Sequence, residues 1–201
     1  MHTAMLIVTM EPPAALEEEF SDWYDTEHFP QRRALPGFMS ASRWVCLDGW
    51  PRYLALYDLA SPDALATPEY HAVSGPNSTP WSRRMLPRTV GRQRQHGATL
   101  ADGADDGAPI AGDAPRLLLA SWPAPAADAG DALAARIRAT ARGIVGARQI
   151  RLVRCGHDRP EIWLVASFDF AIAPAQLAAL QRVQEIGAAT FNLYAPYLRQ
   201  R

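Results

Sequence analysis

The sequence predicts an α+β fold: two β-α-β-β-α-β units in tandem, closing into a barrel with the helices outside. Three observations predict it. Strand-like and helix-like segments recur in the same order twice along the chain. A stretch rich in Ala, Gly and Asp, residues 97–115, separates the two runs and has almost no large apolar side chain. The segment Leu54-Ala55-Leu56-Tyr57-Asp58-Leu59 lines up with Val165-Ala166-Ser167-Phe168-Asp169-Phe170, an internal repeat. The boundaries that follow are a first unit at 1–98, a linker at 99–114 and a second unit at 115–201. Such a unit makes a four-stranded antiparallel sheet with both helices on one face. Its bare face needs a cover. Two units in one chain can press those faces together, leaving a cavity between the sheets.

Residues 4–10 are a short apolar run rich in Leu, Ile and Val, as in a central strand. Pro12-Pro13 breaks it. Glu17, Glu18 and Glu19 then open a helix at the end where negative charge suits the macrodipole. Pro36-Gly37 marks a turn, residues 38–47 alternate as a strand, 48–51 make a hairpin connection and 52–59 return. Three short helix starts follow: Ser61-Pro62-Asp63, Thr67-Pro68-Glu69 and Thr79-Pro80-Trp81. Each sets a capping hydroxyl before a proline at the first helical position. Residues 89–96 read as a polar strand with Arg92 and Arg94 on one face. Beyond the linker come a strand at 116–122, an Ala/Arg helix at 128–142 and strands at 147–155 and 161–170. The turn between those strands holds His157. A helix at 174–186 and a strand at 190–198 complete the second unit.

The composition narrows function. The chain has 201 residues, 48% of them hydrophobic and six of them Trp, ample for a real core. A net charge of −1 does not suggest nucleic acid or an anionic membrane as partner. All twenty basic residues are Arg, which excludes lysine Schiff-base and P-loop lysine chemistry. Cys46 and Cys155 lack zinc-site spacing, and Cys46 is expected to be a small buried hydrophobe. No signal peptide and no run of about 18 apolar residues is present, so the expectation is a cytoplasmic protein with reduced thiols.

The densest cluster of aromatic and ionisable side chains lies at residues 20–30. At about 100° per residue, Leu16, Phe20, Trp23 and Tyr24 share a helix face, and Glu27 falls on that side one turn after Trp23. Pro30 should end or kink the helix. A carboxylate on an apolar stripe is costly unless paired or protonated, so Glu27 is either held by a partner or released to water where the helix frays. His28 with Glu27 or Asp25 is the candidate proton-transfer group, because a His beside a carboxylate can be poised near neutral pH. Trp23, Tyr24, Tyr57 and Trp81 are candidate substrate-binding aromatics. Arg43 is a candidate anion ligand, with Arg92 and Arg94, if these face the barrel interior. Tyr70 and His71 are candidates to rim the cavity.

The stretch Trp23-Tyr24-Asp25-Thr26-Glu27-His28-Phe29-Pro30, then Pro36-Gly37-Phe38 and Tyr53-Leu54-Ala55-Leu56-Tyr57, resembles the EthD-like proteins of the dimeric α+β barrel superfamily, in a fused two-repeat form. The resemblance implies tandem ferredoxin-like repeats forming an intramolecular barrel. The second half matches only in element order; its helix, with Ala134-Ala135-Arg136-Ile137-Arg138, has no counterpart of Asp25, Glu27 or His28. Any pocket chemistry is therefore expected in the first half. The superfamily implies several activities rather than one.

Three readings of function follow. The first is a cofactor-independent isomerase, cyclase or monooxygenase acting on a small cyclic or aromatic metabolite in the inter-sheet cavity. The second is a non-catalytic barrel that binds a small molecule or serves as an accessory subunit. The third is a haem protein, disfavoured because the second half offers only His157 as an axial ligand. No cofactor or metal is expected. Fusion can satisfy within one chain the pairing that single-repeat relatives make between chains, and a homodimer is a further expectation.

Overall fold

Alternation along each strand sets the layers. In β1 (Ala4–Glu11), Met5 and Ile7 belong to one apolar cluster, while Ala4, Leu6, Val8 and Met10 belong to another. A strand apolar on both faces must be covered on both. One cover is a layer of helices, the other the opposite wall of a barrel. The computed structural model describes residues 4–101, 109–110, 112–124, 127–156, 159–185 and 187–199. After β1 come α1 (Glu17–Trp23), a π-helical turn (Tyr24–His28), α2 (Phe29–Arg33), β2 (Phe38–Asp48) and β3 (Tyr53–Leu59). Short helices α3 (Pro68–Ala72) and α4 (Pro80–Met85) lead to β4 (Val90–Ala98). The second half holds β5 (Arg116–Pro123), α5 (Ala127–Arg142), β6 (Ala147–Cys155), β7 (Glu161–Phe168), α6 (Ala178–Gln181) and β8 (Thr190–Pro196).

The strands form one antiparallel sheet in the order β4-β1-β3-β2-β8-β5-β7-β6. Each half contributes four strands in the same relative order. The halves join edge to edge through β2 and β8, where Cys46 pairs with Tyr194. The far edges also meet: Thr99 bridges Val153, and the Leu100 amide donates to the Leu152 carbonyl at 2.8 Å. Gly97 sits at this seam, where a Cβ would lie 1.9 Å from the Arg154 carbonyl oxygen. The sheet is thus nearly closed, which removes most of the exposed edge.

Among the described residues, the space where a cavity between the sheets was expected is filled by side chains, and this corrects the sequence reading. Met5, Ile7, Trp44, Leu54, Leu56, Leu117, Leu119, Trp163, Val165 and Tyr194 fill the barrel. Large side chains at alternate positions meet across a narrow interior, as in other small barrels. The linker adds to the filling: Ile110 and Ala114 are buried in the same cluster. One ion pair is buried there. Arg151 donates to Asp58 Oδ1, while Asp58 Oδ2 accepts from Ser40 Oγ at 2.5 Å and from the Ile110 amide at 3.1 Å.

Two helices differ from expectation. At Pro30, where an end or a kink was expected, the first does not end but runs on to Arg33. The π turn widens the backbone just before the proline, whose ring would clash with the carbonyl four residues back and whose missing N–H leaves an acceptor free. The region expected to be a helix at 174–186 gives only a 3₁₀ turn, Pro174–Leu177, and the one-turn α6. Its inward residues Leu177, Leu180 and Val183 recur every third position, which suits the tighter 3₁₀ geometry. The three hydroxyl caps are present: Ser61, Thr67 and Thr79 accept from the amides of Asp63, Tyr70 and Ser82. His157, placed by sequence in a turn, lies outside the described residues.

Candidate active site

The open space lies on the other side of the sheet, between the outer face of the first half and its helices. A cavity of about 560 Å³ is floored by Leu6, Val8 and Met10 of β1, by Tyr57 of β3 and by Arg92 and Arg94 of β4. His28 and Arg32 wall it from the π turn and α2. Tyr70, Ser74, Ser78, Ser82, Arg83 and Leu86 close it from the short helices. These pieces are too short to bury the sheet face continuously, and that leaves the room. In the second half the equivalent layer is packed by Trp122, Leu133, Ile137, Phe168 and Leu177.

His28 is placed by the π turn, a local widening often found at functional positions. Its ring centroid lies 4.5 Å from that of Trp23 and 5.2 Å from that of Tyr24. The side chain is buried, and Nδ1 has no hydrogen-bond partner. Burial, with Arg32 and Arg43 nearby, pushes its pKa down to about 3, so the imidazole is neutral across the physiological range. Tyr57 lines the same cavity, and its hydroxyl lies 3.4 Å from that of Tyr24. Burial raises both phenols, most strongly Tyr57, which stays protonated.

Neither expected carboxylate orients His28. Asp25 is ion-paired with Arg43, and Arg199 Nη1 stands 3.8 Å from it. Glu27 neither frays to water nor lies unpaired. Its Oε1 accepts from Thr79 Oγ1 at 2.5 Å and from Ser82 Oγ at 3.3 Å. Trp23 Nε1 also donates to Ser82 Oγ at 3.1 Å. Glu27 and Trp23 therefore latch the first helix to α4, and Thr79 joins the latch while capping α4. Thr79→Ala removes the cap and one Glu27 partner together; we expect a loss of about 1–2 kcal/mol in urea unfolding. An unchanged midpoint would show the latch to be energetically idle.

The remaining candidates are dispersed. Trp23 and Tyr24 are buried in the helix-to-sheet core rather than at the cavity wall. Trp81 is half-buried and donates to Glu19 at 3.1 Å. Arg43 faces neither the barrel interior nor the main cavity. Its guanidinium carbon lies 4.3 Å from the ring centroid of Tyr24 and 4.0 Å from that of Tyr197. Arg92 and Arg94 face the helix side, because Arg94 pairs with Val8 on that face of the sheet. Tyr70 lines the cavity and His71 is exposed. Cys46 is half-buried with its thiol pushed up to about 11, consistent with an unreactive group. The sequence reading missed Arg32, the buried cation of the site. Its position four residues after His28 was the available signal.

Among the described residues, no three His, Cys, Asp or Glu side chains lie together to hold a metal, and no helix is long and apolar enough to cross a membrane.

Solved structures share this architecture at low identity. An anthrone oxidase-like protein aligns over 98% of this chain and 92% of its own, with TM-score 0.65 and 16% identity. A mutant chlorite dismutase from Candidatus Nitrospira defluvii aligns over 98% and 92%, with TM-score 0.60 and 10% identity. A candidate monooxygenase from Fusobacterium nucleatum aligns over 97% and 91%, with TM-score 0.56 and 7% identity. These neighbours are dimeric α+β barrel proteins, and at such identities the likeness establishes the fold alone. No protein-family model matches the sequence, and no curated protein matches it.

Proposed function

We propose that this chain is a cofactor-independent enzyme of the EthD-like, fused two-repeat kind, which moves a proton on a small cyclic or aromatic metabolite. The first-half cavity is the site and His28 the proton acceptor. The observation that carries this reading is a buried neutral imidazole, with a nitrogen that has no hydrogen-bond partner among the described residues, on the wall of a cavity whose floor is apolar along β1. The shared strand order of the two halves supports a duplicated unit. The filled helix layer of the second half supports an asymmetric site.

His28 is always in its base form near neutral pH. In the empty cavity, burial and two nearby arginines oppose the imidazolium. Taking a proton from a phenol or an activated C–H creates an anion beside that imidazolium. Their attraction in a dry site offsets the opposing field. Tyr57, held protonated, is the nearby neutral donor for a developing oxyanion.

The name of one structural neighbour supplies a first test compound. Loss of a proton from the ring methylene of anthrone leaves an aromatic oxyanion. With anthrone in D₂O under nitrogen, the protein should speed methylene exchange above buffer. His28→Gln should cut that acceleration by ~10²-fold or more. Unchanged exchange in the variant would remove His28 from the mechanism. Tight binding without exchange would favour the non-catalytic binding barrel instead.

A further inference from the structure

We infer that the ligand of this cavity is a planar organic carboxylate, whose charge pairs with Arg32. The inference deepens the reading above and rests on the same cavity being the functional site. Its ground is a missing counter-ion. Arg32 is 6% exposed, yet no carboxylate among the described residues reaches it. Its two hydrogen bonds go to neutral groups, Ser74 Oγ at 3.0 Å and the Val73 carbonyl at 2.9 Å. A guanidinium has further N–H donors, and a buried charge without a partner is expensive.

The rest of the chain sharpens the contrast. Buried Arg43 and Arg151 each have an aspartate, and surface Arg52, Arg84, Arg154 and Arg199 each have a carboxylate. At the cavity the rule reverses. Every charged residue on its wall is an arginine, and none of them has an acidic partner among the described residues. Arg94 donates to the Tyr70 hydroxyl at 2.9 Å, and the Arg32 and Arg94 guanidinium carbons lie 5.3 and 5.9 Å from the Tyr70 ring centroid. The exposed Arg92 and Arg94 would draw an anion in, and Arg32 would hold it. A single buried guanidinium matches the planar fork of a carboxylate, and the apolar β1 part of the floor, Leu6, Val8 and Met10, matches a ring system.

Three probes of one shape test this: 2-naphthoate, 2-naphthamide and 2-naphthyl phosphate, titrated calorimetrically into the whole chain. The naphthoate should bind ~10-fold or more tightly than the amide. Arg32→Gln should abolish that preference, bringing the acid to the affinity of the amide in the same variant. Equal affinity for acid and amide in the wild type overturns the inference, and that comparison needs no variant to fold. A preference that survives Arg32→Gln also overturns it, as does tighter binding of the phosphate. The two readings fail separately. Loss of acid selectivity with His28-dependent exchange intact sinks only the carboxylate; selectivity with His28-independent exchange sinks only the proton acceptor.

Discussion

Asp58→Ala is expected to lower the unfolding free energy by about 3–5 kcal/mol, the usual cost of stranding one partner of a buried ion pair. Asp58 is 4% exposed and Arg151 2% exposed, inside a barrel filled mainly by apolar side chains. The aspartate also accepts from Ser40 and from the Ile110 amide, so it gathers β2, the linker and β6 around one carboxylate. Removing it leaves a guanidinium among Trp and Leu side chains with no anion. Arg151→Met alone strands the carboxylate instead and should cost a similar amount. The double variant, Asp58→Ala with Arg151→Met, should be less destabilised than either single change, because no charge is left unpaired. Urea unfolding at pH 7 reads all three. An Asp58→Ala midpoint within error of wild type would mean that Arg151 finds water, and that the barrel is wetter than its packing shows.

Stability should fall steeply on the acid side, and His28 should carry much of the fall. The ordinary imidazole pKa of 6.5 applies to the unfolded chain, while the folded value is pushed down to about 3. Above pH 6.5 both states hold a neutral ring, and the contribution is fully present. Below it the unfolded state takes up a proton that the native state refuses. Stability then drops by up to about 1.4 kcal/mol per pH unit until the folded value is reached. Between pH 6.5 and 4.5 that amounts to about 2–3 kcal/mol. His28→Gln removes the titration, so the gap between variant and wild type should shift in favour of the variant as the pH falls. Carboxylates titrate too, but equally in both proteins. Parallel pH profiles for the two would show that His28 protonates in the native state as easily as in the unfolded one. A bound carboxylate at Arg32 should flatten the wild-type slope, since it offsets part of the field that opposes the imidazolium.

Much of the architecture was legible because it is written in short-range pattern. The strand runs, the Pro36-Gly37 turn and the three hydroxyl-proline helix starts depend on neighbours within a few residues, and the structure reproduces them. The failures are of another kind. Pro30 read as the end or a kink of the helix because the π turn that absorbs it depends on how Trp23 and Tyr24 pack against the sheet. Glu27 and Asp25 read as partners of His28 because they are its neighbours in sequence. Thr79, Ser82 and Arg43, which claim them, are 18 to 55 residues away. Arg92 and Arg94 were correctly placed together on one face of a strand, but which face was undecidable until β4 paired with β1.

The sequence by itself determined the order of the elements, their caps, the dense aromatic and ionisable cluster at residues 20–30 and the lack of a counterpart to Asp25, Glu27 and His28 in the second half. Spacing and local backbone preference suffice for these. Only the tertiary structure decided that the halves join edge to edge and that Trp44, Trp163 and Ile110 close the barrel's interior. It also moved the cavity to the helix side, beside His28 and an Arg32 that has no acidic partner among the described residues. Those outcomes turn on how volumes and charges distant in the chain fill a common space, and no periodicity within a single segment encodes that.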